Sequence, residues 1–114
     1  MKFTVSLQKN HQFQHIYKKG KSCGNRHLVV FVEKNELEQN RLGISVSKKM
    51  GGAVVRNLLR RRIKEAYRDM EKRLTYGYDI AILPRQGTSC ATYQEIVSAL
   101  RHLMKKQGLW GGSE

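Results

Sequence analysis

Apolar residues along this chain recur at spacings that switch between the helical and the extended period. Within residues 8–19, Phe13, Ile16 and Tyr17 fall three and four positions apart on one face, which predicts a first helix. Asn10 suits its N-cap, and Gly20 suits the left-handed position that ends it. Residues 27–33 (HLVVFVE) are β-branched and aromatic and predict a strand. The polar stretch 34–40 reads as a turn, so a hairpin to the next strand is expected. That strand, 41–47 (RLGISVS), alternates Leu42, Ile44 and Val46 with Gly43, Ser45 and Ser47, giving one apolar face and one small, polar face. A long helix is predicted over 55–74. At about 100° per residue, Val55, Leu59, Ile63, Ala66, Met70 and Leu74 form one stripe, and Arg56, Asn57, Arg60, Arg61 and Lys64 fall on another sector. Residues 78–83 (YDIAIL) form a short apolar strand. Thr92 and Glu95 make a capping box for a last helix whose stripe is Tyr93, Ile96, Val97, Leu100, Leu103 and Met104.

The resulting order is α-β-β-α-β-α, an α/β (α+β) two-layer sandwich with a mixed sheet of about four strands. The strand at 41–47, the helix and the strand at 78–83 form a βαβ unit, so that pair should be parallel, with a right-handed crossover as the default. With 114 residues, one Pro and no low-complexity linker, the chain reads as a single domain, 1–114, with 108–114 expected to be a mobile tail.

Charge changes the picture more than length does. Lys plus Arg number 22 and Asp plus Glu 9, a net charge of +13, which points to a polyanionic partner. A hydrophobic content of 39% argues against a wholly disordered basic tail. No apolar run approaches the roughly 20 residues of a membrane span, and residues 1–7 show no secretory h-region. Cys23 and Cys90 have no CxxC spacing; a reduced, cytoplasmic protein with small-hydrophobe cysteines is the simplest expectation. The basic residues are also clustered. Residues 48–64 hold seven (Lys48, Lys49, Arg56, Arg60, Arg61, Arg62 and Lys64) and no acid. A merely solvated amphipathic helix would intersperse both signs.

Catalytic groups are harder to find. His11 and His15 lie one helical turn apart, but a third metal ligand is not in sight, so solvated or RNA-facing histidines are the better reading. The carboxylates are scattered and suggest no acid–base pair. Gly51 and Gly52 precede a helix start, where backbone N–H groups attract phosphate, a weak signal against which a flexible connection is the simpler account. The informative segment is SVSKKMGGAVVRNLLRRRIKE, residues 45–65: a strand end, a basic glycine loop and a helix start carrying Arg56 and Asn57. Arginine forks grip phosphate at two points, and asparagine can bond phosphate or sugar.

This segment resembles the protein component of bacterial ribonuclease P. RLGISVSKK, GGAVVRN and RRRIKE match the family's signature, and upstream the phenylalanine, IYKKGKS and NRHLVVF match its first helix and strand. One departure stands out: the family's Arg-Asn-Arg is Arg56-Asn57-Leu58 here, so a third contact is absent or comes from Arg60, Arg61 or Arg62. The resemblance implies a small α/β sandwich with a left-handed βαβ crossover, against the default hand. It implies a subunit of a ribonucleoprotein whose RNA performs magnesium-dependent removal of the 5′ leader from precursor tRNA. It also implies two surfaces. Lys48, Lys49, Arg56, Asn57, Arg60, Arg61 and Lys64 would contact the catalytic RNA. Phe13, Tyr17, Val29, Phe31 and Ser45 would line a leader cleft, where aromatic faces stack on single-stranded bases. Ordinary core is the competing reading for Phe13 and Phe31, whereas Tyr17, followed by Lys18 and Lys19, is expected to be exposed. Asn25 and Arg26 match positions that touch phosphates. Magnesium is expected on the RNA, and the partners are ribonuclease P RNA and precursor tRNA, with no membrane and no obligate protein partner. A ribosomal RNA binder, a helix-turn-helix DNA binder and an autonomous nuclease are the competing functions. A basic helix that follows a strand and glycine loop speaks against the second, and the missing catalytic cluster against the third.

Overall fold

Side chains of the strand after His27 sort by parity: Leu28, Val30 and Val32 are buried, while Val29, Phe31 and Glu33 are half-buried. Both faces are therefore covered, one more completely than the other. The computed structural model describes residues 4–7 and 9–111. The elements are β1 (Thr4–Ser6), α1 (Asn10–Lys19), β2 (Lys21–Gly24), β3 (Leu28–Lys34), β4 (Asn40–Ile44), α2 (Ala53–Met70), β5 (Tyr78–Pro84) and α3 (Tyr93–Lys106). Short 3-10 turns at Lys48–Met50, Glu71–Arg73 and Thr88–Cys90 join them. The sheet order is β1-β4-β5-β3-β2. β1 and β5 run parallel to β4, and β3 runs antiparallel to β5 and β2. Helices α2 and α3 pack together on one face of the sheet, and α1 lies across β3 and β5 on the other.

The βαβ unit of β4, α2 and β5 is as expected, with Leu42 beside Ile80 and Ile44 beside Ile82 in a parallel register. The hairpin is not. Residues 34–40 join β3 to β4 in sequence, but β5 lies between them in the sheet. The apolar run in 78–83 is the mark of a strand buried on both faces. Asp79, Ile80, Ala81 and Ile82 are all buried, as a central strand requires. Two further strands flank the sheet. β1 is three residues long, and β2 (KSCG) is a polar edge, so neither carries the periodicity that marks a strand.

Helix ends also differ from expectation. Lys9, not Asn10, occupies the cap position of α1, and its N–H donates to Gln12 Oε1 at 3.2 Å. Residue 8, where the helix was expected to begin, lies outside the described residues. Gly20 follows α1 with φ −77°, extended rather than left-handed. Glycine is needed there for space: a Cβ would lie 2.6 Å from the Ile16 carbonyl oxygen and 3.0 Å from that of Val32. α2 starts two residues early, at Ala53, and stops at Met70, after which Leu74 is buried outside the helix. Within the expected tail, Leu109 is fully buried. The Thr75 N–H donates to the Leu109 carbonyl (2.8 Å), and the Gly111 N–H donates to that of Arg73 (2.7 Å). Trp110 is clasped by Lys105 and Arg73, 5.1 and 6.0 Å from its ring centre. Segment 108–111 thus closes the C-terminal ends of α2 and α3, and 112–114 lies outside the described residues.

A buried polar knot fixes the start of β4. Asn40 Nδ2 donates to Tyr67 Oη (3.2 Å) and the Thr75 carbonyl (3.1 Å), and Asn40 Oδ1 accepts from the Tyr78 N–H (3.0 Å). Thr4 Oγ1 shares a 2.9 Å bond with Tyr67 Oη, which ties β1 to α2. Burial raises the Tyr67 pKa, against the lowering effect of these bonds. Next along the strand, Arg41 makes a two-point pair with Asp79 at 2.7 Å in each arm, which raises the arginine's pKa.

Candidate nucleic-acid interface

Strand parity places the expected cleft residues together. Val29 pairs with Leu83 and Phe31 with Ala81, while Gly43 is beside Ala81 on the other flank of β5. All of these project toward α1. Ser45 continues the ladder by donating its N–H to the Ile82 carbonyl (3.0 Å) and shares the parity of Gly43. From α1, Tyr17 sets its ring edge-on to Phe31 at 5.1 Å between centroids, with Phe13 6.1 Å from Tyr17. Phe13, Tyr17, Val29, Phe31 and Ser45 are all half-buried. They are neither sealed core nor free surface, and Tyr17 is less open than its flanking lysines suggested. Ile16 is the α1 residue that is fully buried against the sheet. Leu83, half-buried between Val29 and Ser45, belongs to the same wall. Its position in a continuously apolar segment hid its orientation until the register was known.

Gly43 makes this arrangement possible. A Cβ there would strike the tip of the Phe13 ring and lie 3.1 Å from Leu7 Cβ. The open space continues around the sheet edge. β1 ends opposite Leu42, so among the described residues no strand covers β4 beyond that point. A groove of about 430 Å³ opens there, floored by Leu7, Leu42, Gly43 and Ile44 and walled by Asn57, Arg60, Arg61 and Lys64. Four of the expected RNA-contacting side chains thus border a single groove, and Gly43 and Leu7 join it to the aromatic cleft.

The α2 side chains take their places because Leu59, Ile63, Ala66, Tyr67 and Met70 turn toward the sheet. Arg60 donates to Asn57 Oδ1 at 2.8 Å. Arg62 donates to the Ala91 carbonyl at 3.2 Å, which commits it to packing and removes it as the substitute at position 58. Arg61, three residues after Leu58, is exposed beside it. Arg56 is half-buried, and its Nε is shielded from solvent without a hydrogen-bond partner. Lys48 and Lys49 are exposed on the turn before α2, where Ser47 Oγ accepts from the Lys49 N–H (3.2 Å). Gly51 has φ 138°, so the turn itself explains one of the two glycines.

Asn25 has a different place. Its Oδ1 accepts from the N–H groups of His27 (3.1 Å) and Leu28 (3.0 Å), and its Nδ2 donates to the Ala99 carbonyl (3.0 Å) with His102 Nδ1 at 3.3 Å. It ties the β2–β3 turn to α3, with one amide hydrogen committed to the Ala99 carbonyl. Arg26 beside it is exposed. His15 pairs with Glu33 at 2.8 Å rather than with His11. Cys23 packs against the core, while Cys90 is exposed, not a buried small hydrophobe. Among the described residues no group of three or more His, Cys, Asp or Glu is placed to hold a metal ion. Nor is any described helix long and apolar enough to cross a membrane.

An α/β sandwich with a cationic helix face on one side of an edge strand and an aromatic cleft on the other defines a small basic protein shaped to meet a polyanion. Known proteins narrow this class. The family model for ribonuclease P matches residues 1–108. The ribonuclease P protein component of Clostridium botulinum (strain 657) is 46% identical over 105 residues, spanning 91% of this chain and 95% of its own. That of Lachnoclostridium phytofermentans is 49% identical over 109 residues, 96% of this chain and 94% of its own. Among solved structures, the RNase P protein of Staphylococcus aureus superposes with TM-score 0.86 at 39% identity, covering 93% of this chain and 97% of that one. The protein from Thermotoga maritima gives 0.82 at 33% identity, covering 89% and 96%. The chain belongs to the ribonuclease P protein family. Membership implies a part in the ribonuclease P holoenzyme, a partnership with its RNA and a place in tRNA 5′-end processing.

Proposed function

We propose that this chain docks on ribonuclease P RNA through Lys48, Lys49, Arg56, Asn57, Arg60, Arg61 and Lys64, and holds the 5′ leader of precursor tRNA in the cleft of Phe13, Tyr17, Val29, Phe31 and Ser45. The observation that carries this reading is the junction at Gly43, where an aromatic cleft and a groove walled by Asn57, Arg60, Arg61 and Lys64 meet across one strand edge. The cationic wall neutralises phosphates without reading sequence. Arg56 adds a shielded donor with no hydrogen-bond partner on the same helix. The aromatic cleft stacks single-stranded bases, which are sequence-tolerant partners. Leu83 is added to the cleft, and Arg61 takes the part of the arginine absent at position 58. The hydrolysis belongs to the RNA with its magnesium in this reading. The protein's share is to bind and orient the substrate in the cytoplasm. Arg26 remains a further phosphate contact.

The test is reconstitution with a bacterial ribonuclease P RNA. Arg61→Ala should weaken assembly by about 1–3 kcal/mol, the worth of a charged hydrogen-bonded contact. Tyr17→Ala should leave assembly intact and lower affinity for precursor tRNA relative to mature tRNA, an effect that vanishes on a precursor with a one-nucleotide leader. Equal losses on all three ligands would show Tyr17 to be structural. A leader-specific loss from Arg61→Ala with assembly intact would mean the two surfaces are exchanged.

A further inference from the structure

The exposed front of α2 carries an apolar step among its cations. Val54 is 82% exposed, the most open large apolar side chain of the described residues. Leu58, one turn on, is half-buried. Side chains four apart on a helix lie one above the other, so the two branched aliphatic groups adjoin. With Asn57 and Arg61 they line a shallow hollow of about 410 Å³. Neither residue belongs to the hydrophobic core, so packing within the fold does not account for the pair.

We propose that the Val54–Leu58 step seats one unpaired base of ribonuclease P RNA, lying flat on the aliphatic side chains with Asn57 at its edge and Arg61 on the adjoining phosphate. The proposal rests on the docking reading above. Charge favours an anionic occupant: residues 48–64 hold seven cations and no acid, and one of them, Arg61, lines the hollow itself. A second copy would set +13 against +13. Two side chains also fall far short of the roughly 1,200 Å² that stable protein interfaces bury. A phosphate alone would leave the apolar floor unused, whereas the face of a base is apolar, its edge offers groups to the Asn57 amide, and its own phosphate meets the Arg61 guanidinium. At position 58, leucine thus exchanges a backbone contact for a base contact, and base contacts carry sequence information that phosphate contacts lack.

Two probes separate this from the docking reading: a bacterial ribonuclease P RNA, and heparin, a polyanion without bases. The variants are Val54→Ser, the Val54→Ser/Leu58→Ser pair, and Arg61→Ala, with melting curves to confirm folding. The pair should bind the RNA about tenfold more weakly, and Val54→Ser alone about threefold. Neither should change the slope of log K against log salt, because no phosphate contact is lost. Both should bind heparin as the unaltered chain does. Arg61→Ala should weaken both ligands and flatten the slope by about one. If Arg61→Ala behaves so while the serine variants bind RNA normally, docking stands and the base seat is refuted. Equal losses on RNA and heparin would refute it too, by showing that the aliphatic pair acts only through the helix. A chain that fails to bind the RNA at all would sink both readings.

Discussion

Alanine at Gly43 would put a methyl group where the Phe13 ring lies. The backbone is no obstacle, since Gly43 is not among the positive-φ residues. The cost is steric. The new Cβ would lie 3.1 Å from Leu7 Cβ and closer still to the ring tip, where ordinary contact is about 3.5–4.0 Å. The ring, or α1 with it, must therefore retreat by about 1 Å. Overpacking of this kind costs about 1–3 kcal/mol. Relief of glycine's extra chain entropy returns about 0.5–1 kcal/mol, which leaves a net loss of up to about 2.5 kcal/mol. Phe13→Leu removes the ring atoms that collide. In its presence the same alanine should be nearly neutral, so the two changes couple by about 1 kcal/mol or more. Urea denaturation of the four chains measures that coupling, provided the m-value is constant. Because Phe13 lines the proposed leader cleft, the single alanine should lower precursor tRNA affinity more than mature tRNA affinity in the holoenzyme. Additivity of the two substitutions within about 0.5 kcal/mol would refute the claim that Gly43 exists to seat Phe13.

Asn40→Ala strips the Tyr78 N–H and the Thr75 carbonyl of their Asn40 partner in a part-buried site and leaves the Tyr67 hydroxyl with Thr4 alone, so unfolding free energy should fall by about 3 kcal/mol and the melting temperature by about 12 °C. Glu95 accepts the Thr92 N–H at the start of α3, and this bond holds its carboxyl below the usual glutamate range. Its contribution is complete above that range and lost as acid takes the pH down through the lowered value, so Glu95→Gln should flatten the acid limb of a stability–pH curve and leave neutral pH nearly unchanged. Ending the chain at residue 108 removes buried Leu109 and the Trp110 clasp, and should cost about 2–4 kcal/mol in denaturation. An unaltered midpoint would mean the closure is ornamental.

The helices were legible because each buries one stripe. Leu59, Ile63 and Ala66 in α2, and Ile96, Leu100 and Leu103 in α3, are at the predicted positions and buried. Pairing was less legible. A polar turn after β3 has the same composition whether the next strand turns back beside it or leaves room for another. The insertion of β5 is decided by a contact between residues 28–34 and 78–84, far apart in sequence. The C-terminal clasp was invisible for the same reason: Leu74 meets Trp110 only once α2 and α3 have packed. Asn25 misled in another way. A side chain that can bond a phosphate can equally bond the backbone, and its composition does not say which.

The two surfaces proposed above were readable separately, as aromatic spacing in α1 and β3 and as cationic density in α2. Their junction was not. It depends on β4, where successive side chains turn to opposite faces. Gly43 and Ser45 face α1, and Leu42 and Ile44 face the layer of α2. Because β1 stops opposite Leu42, the outer edge of β4 is open where these alternate residues meet. The short first strand therefore has a consequence its three residues do not announce. Two more bridged pairs in the same register would cover the edge at Gly43 and Ile44 and close the groove between cleft and cationic helix. Thr4, held to Tyr67 within the Asn40 knot, fixes where that strand lies. The buried polar network, remote from both proposed surfaces, thereby sets how far the edge of the sheet stays open.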